Sequence, residues 1–140
     1  MSAFIDASAI VAVLSHEPDG SEVLARIEAA GRPLYFSAVS VFEATFGLVR
    51  KKTQIGRRAD AATLVEAGSI IRDFLERIGA EEVPVDGAAA IEAAARFGKV
   101  VGHPAQLNMG DCFAYACARA KGVPLLYKGD DIARTDIAPA

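Results

Sequence analysis

Asn108-Met109-Gly110-Asp111-Cys112-Phe113-Ala114-Tyr115-Ala116-Cys117-Ala118-Arg119-Ala120-Lys121-Gly122 reads as one helix with a signal at each end. Asn108 is an N-cap residue, Lys121 suits the last turn, and Gly122 can take the left-handed conformation that closes a helix. Almost every residue between them is small or apolar, so this helix is expected to be buried over most of its surface. Its first turn nevertheless carries Asp111. A carboxylate at the mouth of a buried helix either caps the backbone or belongs to a site, and the rest of the chain has to decide between the two.

Working outward, short apolar runs alternate with helical patterns. Ala3-Phe4-Ile5 stops at Asp6 and leads into a helix over 9–14, capped by Asp6 or Ser8. Pro18-Asp19-Gly20 is a turn, and Ser21 is expected to cap a helix that ends at Gly31. Pro33 to Phe36 is a second strand, and Ser40 is expected to open a helix carrying Val41, Phe42, Phe46 and Val49 along one face. A long helix over 59–78 follows, then a strand over 81–85 and an alanine-rich helix capped by Asp86 and reaching Phe97. A loop with His103-Pro104 precedes the central helix, and Pro124 to Tyr127 is a fourth strand running into Lys128-Gly129-Asp130-Asp131.

Strands separated by helices imply parallel βαβ units with helices on both faces of the sheet. Open sheets of this kind bind ligands at the carboxyl ends of their strands. Asp6 and Asp130-Asp131 follow strands directly. Crossover helices run antiparallel to the strands, so the first turns expected to hold Glu43 and Asp111 lie at the same edge. Four separate acidic positions therefore converge on one end of one sheet.

The composition sets bounds on function. A chain of 140 residues, 52% hydrophobic and 24% charged, fits one globular domain over 1–140 with a single core. Cys112 and Cys117 are five residues apart in the proposed helix and face different ways, so they cannot bridge within it. With no secretory signal, this predicts a soluble protein of the reducing cytoplasm. The apolar run 9–14 is far too short to span a bilayer. A net charge of −3 gives no overall attraction to nucleic acid. The clusters Arg50-Lys51-Lys52 and Arg57-Arg58 are either a solvated helix end and loop or a local phosphate-contacting patch.

Carboxylates gathered in one place raise each other's pKa unless a cation neutralises them. Hard divalent ions prefer such oxygen ligands, and no His/Cys pattern at zinc spacing exists here. Mg²⁺, with Mn²⁺ as a substitute, is the implied cofactor, and phosphodiester hydrolysis the implied chemistry. Each acid also has a structural explanation: Ser40-x-x-Glu43 and Asn108-x-x-Asp111 both fit a capping box, Asp6 can cap, and Asp130-Asp131 can form a turn. Joint placement at one edge favours metal binding, and a helix N-terminus stabilises the ionised form a metal needs. Ser8 either supports Asp6 or simply caps. His16 and His103 lack a partnered nucleophile, Cys112 reads as packing, and no phosphate-binding Gly-rich fingerprint is present.

These residues carry a family resemblance. Phe4-Ile5-Asp6-Ala7-Ser8-Ala9, Ser37-Ala38-Val39-Ser40-Val41-Phe42-Glu43, Gly110-Asp111-Cys112-Phe113-Ala114-Tyr115-Ala116 and Leu125-Leu126-Tyr127-Lys128-Gly129-Asp130-Asp131 resemble, in order and spacing, the motifs of PIN-domain ribonucleases of the VapC toxin type. The resemblance spans essentially the whole chain. It implies a three-layer α/β/α sandwich around a short parallel sheet, with a Mg²⁺-dependent endoribonuclease site. It implies Asp6 and Asp111 as principal metal ligands, Glu43 as the third acid, and Asp131 as the fourth with Asp130 as an outer ligand. Ile132 stands where the family commonly has Phe, which concerns packing. The resemblance also implies a homodimer and a cognate antitoxin that pairs a DNA-binding part with a tail that wraps the toxin.

The reading is therefore a single-strand-directed endoribonuclease toxin. Its rival is a non-catalytic interaction module of the same fold that holds a DNA-bound regulator, which would have no need of clustered carboxylates. A phosphatase-type hydrolase with Asp6 as nucleophile would want an acid where Ser8 stands. Lys51, Lys52, Arg57 and Arg58 are expected to contact RNA backbone, and apolar residues of the first two helices (Val13, Leu24, Ile27) to receive an antitoxin helix whose arginine reaches the acids.

Overall fold

The computed structural model describes residues 1–129 and 132–140. Four strands form one parallel sheet in the order β3-β2-β1-β4: β1 is Phe4–Ile5, β2 Leu34–Phe36, β3 Ala80–Glu82 and β4 Leu125–Leu126. Six helices complete the fold: α1 Ala7–Leu14, α2 Gly20–Ala29, α3 Ala38–Lys52, α4 Ala61–Arg77, α5 Gly87–Phe97 and α6 Met109–Lys121. Short 3-10 turns lie at 99–101 and 132–134.

Side chains that alternate along each strand build two separate cores. Ile5, Leu34, Phe36 and Leu126 point to the face covered by α1–α4, where they meet Ile10, Val23, Ile27, Leu48, Ile71 and Leu75. Phe4, Tyr35 and Leu125 point to the other face and pack with Ala90, Ala93, Leu107, Cys112 and Tyr115 of the α5–α6 side. Both faces are covered, which is why the strands read as continuous apolar runs. The result is the expected α/β/α sandwich. α6 is buried along most of its length, Gly122 closes it at φ 66°, and both cysteines are buried free thiols.

From β1 the chain moves outward to β2 and β3, then returns across the sheet to place β4 on the other side of β1. The crevice between β1 and β4 is therefore the switch point where a doubly covered parallel sheet offers a site.

Several local expectations change. Ile27 is fully buried, Val13 is half-buried against the core and Leu24 is half-buried, so Ile27 drops out of the docking surface expected of the first two helices. The second helix begins at Gly20 after Asp19, not at a Ser21 cap. The third helix starts at Ala38, two residues before Ser40, because Ser37 and Ser40 form the capping box between themselves. No helix among the described residues is long and apolar enough to cross a membrane.

Candidate active site

Asp6 ends β1 and caps α1. Its Oδ2 accepts the Ser8 amide at 3.0 Å, and the carboxyl is almost wholly buried. Ser8 does more than extend the cap, for its Oγ accepts the Lys128 amide at 2.9 Å, tying the Asp6 turn to the end of β4. Burial raises the Asp6 pKa above its ordinary value, although hydrogen bonds from Ser8 oppose the shift.

Asp111 sits in the first turn of α6 and is bound into its cap. Its Oδ2 accepts the Asn108 amide at 3.1 Å, while Asn108 Oδ1 accepts the Asp111 amide at 2.9 Å. The capping interpretation of Asp111 is thus correct as geometry. It does not remove Asp111 from the site, because the same residue lines the cavity that holds Asp6 and Glu43.

Glu43 is different. The serine box at Ser37–Ser40 leaves it uninvolved in capping, in the second turn of α3 rather than the first. Its carboxylate lies so close to the α6 backbone that a Cβ on Gly110 would fall 1.8 Å from Oε2. Burial first, then the charges of Asp6 and Asp111, push its pKa up to about 7, with Arg50 pulling the other way. In the sequence Gly110 stands out only as part of a motif. Its role as the gap that admits Glu43 needed the contact between α3 and α6, although a glycine beside the first-turn acid of an otherwise substituted helix was a visible signal.

The cavity has a volume of about 400 Å³ and is lined by Asp6, Ser8, Glu43 and Asp111, with Arg50, Lys51 and Lys128 among its cations. Among the described residues, no three His, Cys, Asp or Glu side chains already stand close enough to share one ion. Asp130 and Asp131 lie outside the described residues. The donors nevertheless fit a hard divalent cation: they are all carboxylate oxygens, they share one cavity, and the proton affinity of Glu43 is raised by burial and further by its acidic neighbours. Of the four basic residues expected to meet substrate, only Lys51 lines this cavity. Lys52, Arg57 and Arg58 are exposed elsewhere, and Arg50 and Lys128 take their place. His103 has a structural role, since its Nδ1 accepts the Ala105 amide at 3.0 Å and its ring packs edge-on against Phe97.

A larger hollow of about 640 Å³ lies between α5, the 99–101 turn and α6. Ile91, Ala94, Val100, Leu107, Met109 and Phe113 line it, and it contains no carboxylate.

Comparison with known proteins agrees with this architecture. The PIN domain family description matches residues 3–138. A VapC ribonuclease of Rhizobium meliloti (strain 1021) is 42% identical over 139 residues, covering 96% of this chain and 98% of that protein. Ribonuclease VapC42 of Mycobacterium tuberculosis is 36% identical over 137 residues, with 97% of each chain covered. The crystal structure of the sarcin–ricin-loop-cleaving toxin VapC20 of Mycobacterium tuberculosis superposes with a TM-score of 0.70 over 97% of this chain and 96% of that one. At 16% identity, it speaks for the fold alone. The chain belongs to the PIN-domain family. Within that family it is a ribonuclease of the VapC toxin class, a group of nucleases that in general depend on a metal.

Proposed function

We propose that this protein, as one PIN-like domain over residues 1–140, is a Mg²⁺-dependent endoribonuclease toxin that cuts single-stranded regions of RNA. One observation carries the reading: Asp6, Glu43 and Asp111, far apart in sequence, line one cavity at the β1/β4 switch point, and the Glu43 carboxyl is pushed up to about 7 partly by the other two. Asp6 and Asp111 are the principal ligands in this reading, Glu43 the third acid, and Asp131 the fourth with Asp130 outside it. When bound, Mg²⁺ or Mn²⁺ would supply an activated water and neutralise charge on the phosphodiester.

The chain's own residues do the remainder. Ser8 holds Asp6 in place through its amide. Asn108 orients Asp111, and Gly110 admits Glu43. Arg50 and Lys51 stand at the cavity wall where the RNA backbone would lie. The rival reading, a module that merely holds a DNA-bound regulator, gives no reason to bury Asp6 and half-bury Glu43 beside each other.

The cytoplasm is the setting that this reading requires. A small DNA-binding antitoxin and a second copy of the chain are the protein partners it implies. The hollow beside α5 and α6, with Ile91 and Met109 largely exposed on it, is better suited to a protein partner than the first two helices are.

The test is direct. Purified protein should cleave RNA with Mg²⁺, lose that activity in EDTA, and regain it on adding back Mg²⁺. Asp6→Asn, which keeps an acceptor for the Ser8 amide, should fold and be inactive. Undiminished cleavage in EDTA, or by folded Asp6→Asn, would overturn the assignment.

A further inference from the structure

The wall of the acid cavity contains an arrangement that metal binding does not explain. Glu17 lies in the turn after α1, and only 11% of its side chain is exposed. The turn is tightly built. His16 takes a left-handed φ of 53°, the Glu17 amide donates back to Ala12 O at 3.1 Å, and Gly20 fits where a Cβ would lie 2.6 Å from the same carbonyl oxygen. The carboxylate is thereby fixed against the end of α1.

Two lysines from distant parts of the chain converge on it. Lys51 Nζ, in the last turn of α3, is 3.3 Å from Oε1, and Lys128 Nζ, just after β4, is bonded to Oε2 and lies 3.2 Å from Asp19 Oδ1. Hydrogen bonding from Lys128, joined by a weaker contribution from Lys51, lowers the Glu17 pKa. Gly47 makes the convergence possible, because a Cβ there would lie 2.9 Å from a Val11 methyl; α3 can press on α1 and bring Lys51 to Glu17 one turn later. Lys128 is also tied to the acids, its amide bonded to the Ser8 hydroxyl while the Ser8 amide holds Asp6.

The cavity thus has an anionic floor and a cationic wall whose spacing is set by one turn of backbone. A phosphodiester chain approaching three carboxylates needs such a counter-field. Lysines on flexible four-carbon stems provide it cheaply only if they are already ordered. Each ammonium has three donors and can share them between Glu17 and a phosphate oxygen.

We propose that Glu17 is a positioning residue that holds Lys51 and Lys128 as a two-lysine subsite for the phosphate of the nucleotide flanking the scissile bond. This rests on the reading that the cavity cleaves RNA.

The experiment is equilibrium binding of a fluorescent mixed-sequence single-stranded RNA 12-mer in EDTA, over a range of salt concentrations. Lys51→Ala and Lys128→Ala should each weaken binding about fivefold and flatten the logarithmic salt slope by about 0.7. Glu17→Gln separates positioning from simple charge. Removing a negative charge beside the RNA should tighten binding if only Coulomb attraction matters, whereas loss of the anchor should weaken it about fivefold. Glu17→Asp should recover part of the affinity. With Mg²⁺ present, Glu17→Gln should raise KM by more than it lowers kcat. Unchanged slopes for both lysine variants, or tighter binding by folded Glu17→Gln, would overturn the subsite while leaving the nuclease reading intact. Absence of RNA binding by the parent protein would overturn both.

Discussion

The starts of α3 and α6 answer the same physical problem differently. Each helix leaves backbone amides without partners in its first turn, and each satisfies them with a capping box. At α6 the box is Asn108 with Asp111, so the acid of the site is also part of the cap. At α3 the box is Ser37 with Ser40, and Glu43 is left over, half-buried and pushed toward neutrality. The Asp111 carboxylate is engaged by a backbone amide of its own cap, whereas Glu43, with no capping duty, is governed by its burial and its acidic neighbours. The difference teaches that a capping signature does not decide whether an acid is functional.

Substitution at the two acids tests that contrast most severely. Glu43→Gln should lower RNA cleavage by at least about a hundredfold and, because it removes a buried charge from among acids, raise the melting temperature of metal-free protein at pH 7.5. Asp111→Asn should be as inactive but leave stability nearly unchanged, since Asn still accepts the cap amide. Asp111→Ala should in addition cost about 1 kcal/mol. Parallel thermal melts and cleavage assays check all three. Equal stability losses at positions 43 and 111 would erase the distinction.

A subtler change acts on Glu43 through its neighbour. Gly110→Ala puts a methyl where the Glu43 carboxylate now lies. The carboxylate is the far end of a flexible side chain, so the fold should survive while cleavage falls about tenfold or more. A Gly110→Ala protein that cleaves RNA at the parent's rate would show that the close approach is dispensable.

The smallest expected effect is in pH dependence. Glu43 is raised from its ordinary 4.5 to about 7, and Asp6 is raised in the same direction. The folded state then holds more protons than the unfolded one between these values, so the stability of metal-free protein should decline as pH rises from about 4.5 to about 7. Glu17 and Asp136 are lowered, and their opposite contribution falls below pH 4.5, outside that window. Added Mg²⁺ should shrink the decline by a few degrees of melting temperature, because an ion favours the charged acids. Identical melting-versus-pH curves with and without Mg²⁺ would count against ion binding by these groups.

The sequence by itself determined most of the architecture. Alternating apolar runs and helical patterns specified a parallel sheet covered on both faces, and Asn108 and Gly122 marked the ends of α6 because capping is a local matter of a few backbone groups. Placing Asp6, Glu43 and Asp111 at one sheet edge followed from the rule that crossover helices start where strands end. Tertiary structure decided what local rules leave open. Ser37 sits three positions ahead of the readable Ser40 signal, and buried serines at both positions allowed the box to form there and freed Glu43. The tract at 52–58 carries conspicuous basic residues, yet the cations that line the acid cavity are Arg50, Lys51 and Lys128, because the direction of α3, its packing against α1 and the end of β4 choose which cations face inward. Glu17 and Lys128 carry no local signature of their roles, and the glycine at 110 shows locally only as a gap whose occupant is undefined. Their roles arise from contacts between α1, α3, α6 and β4, and contacts of that range exist only after the chain has folded.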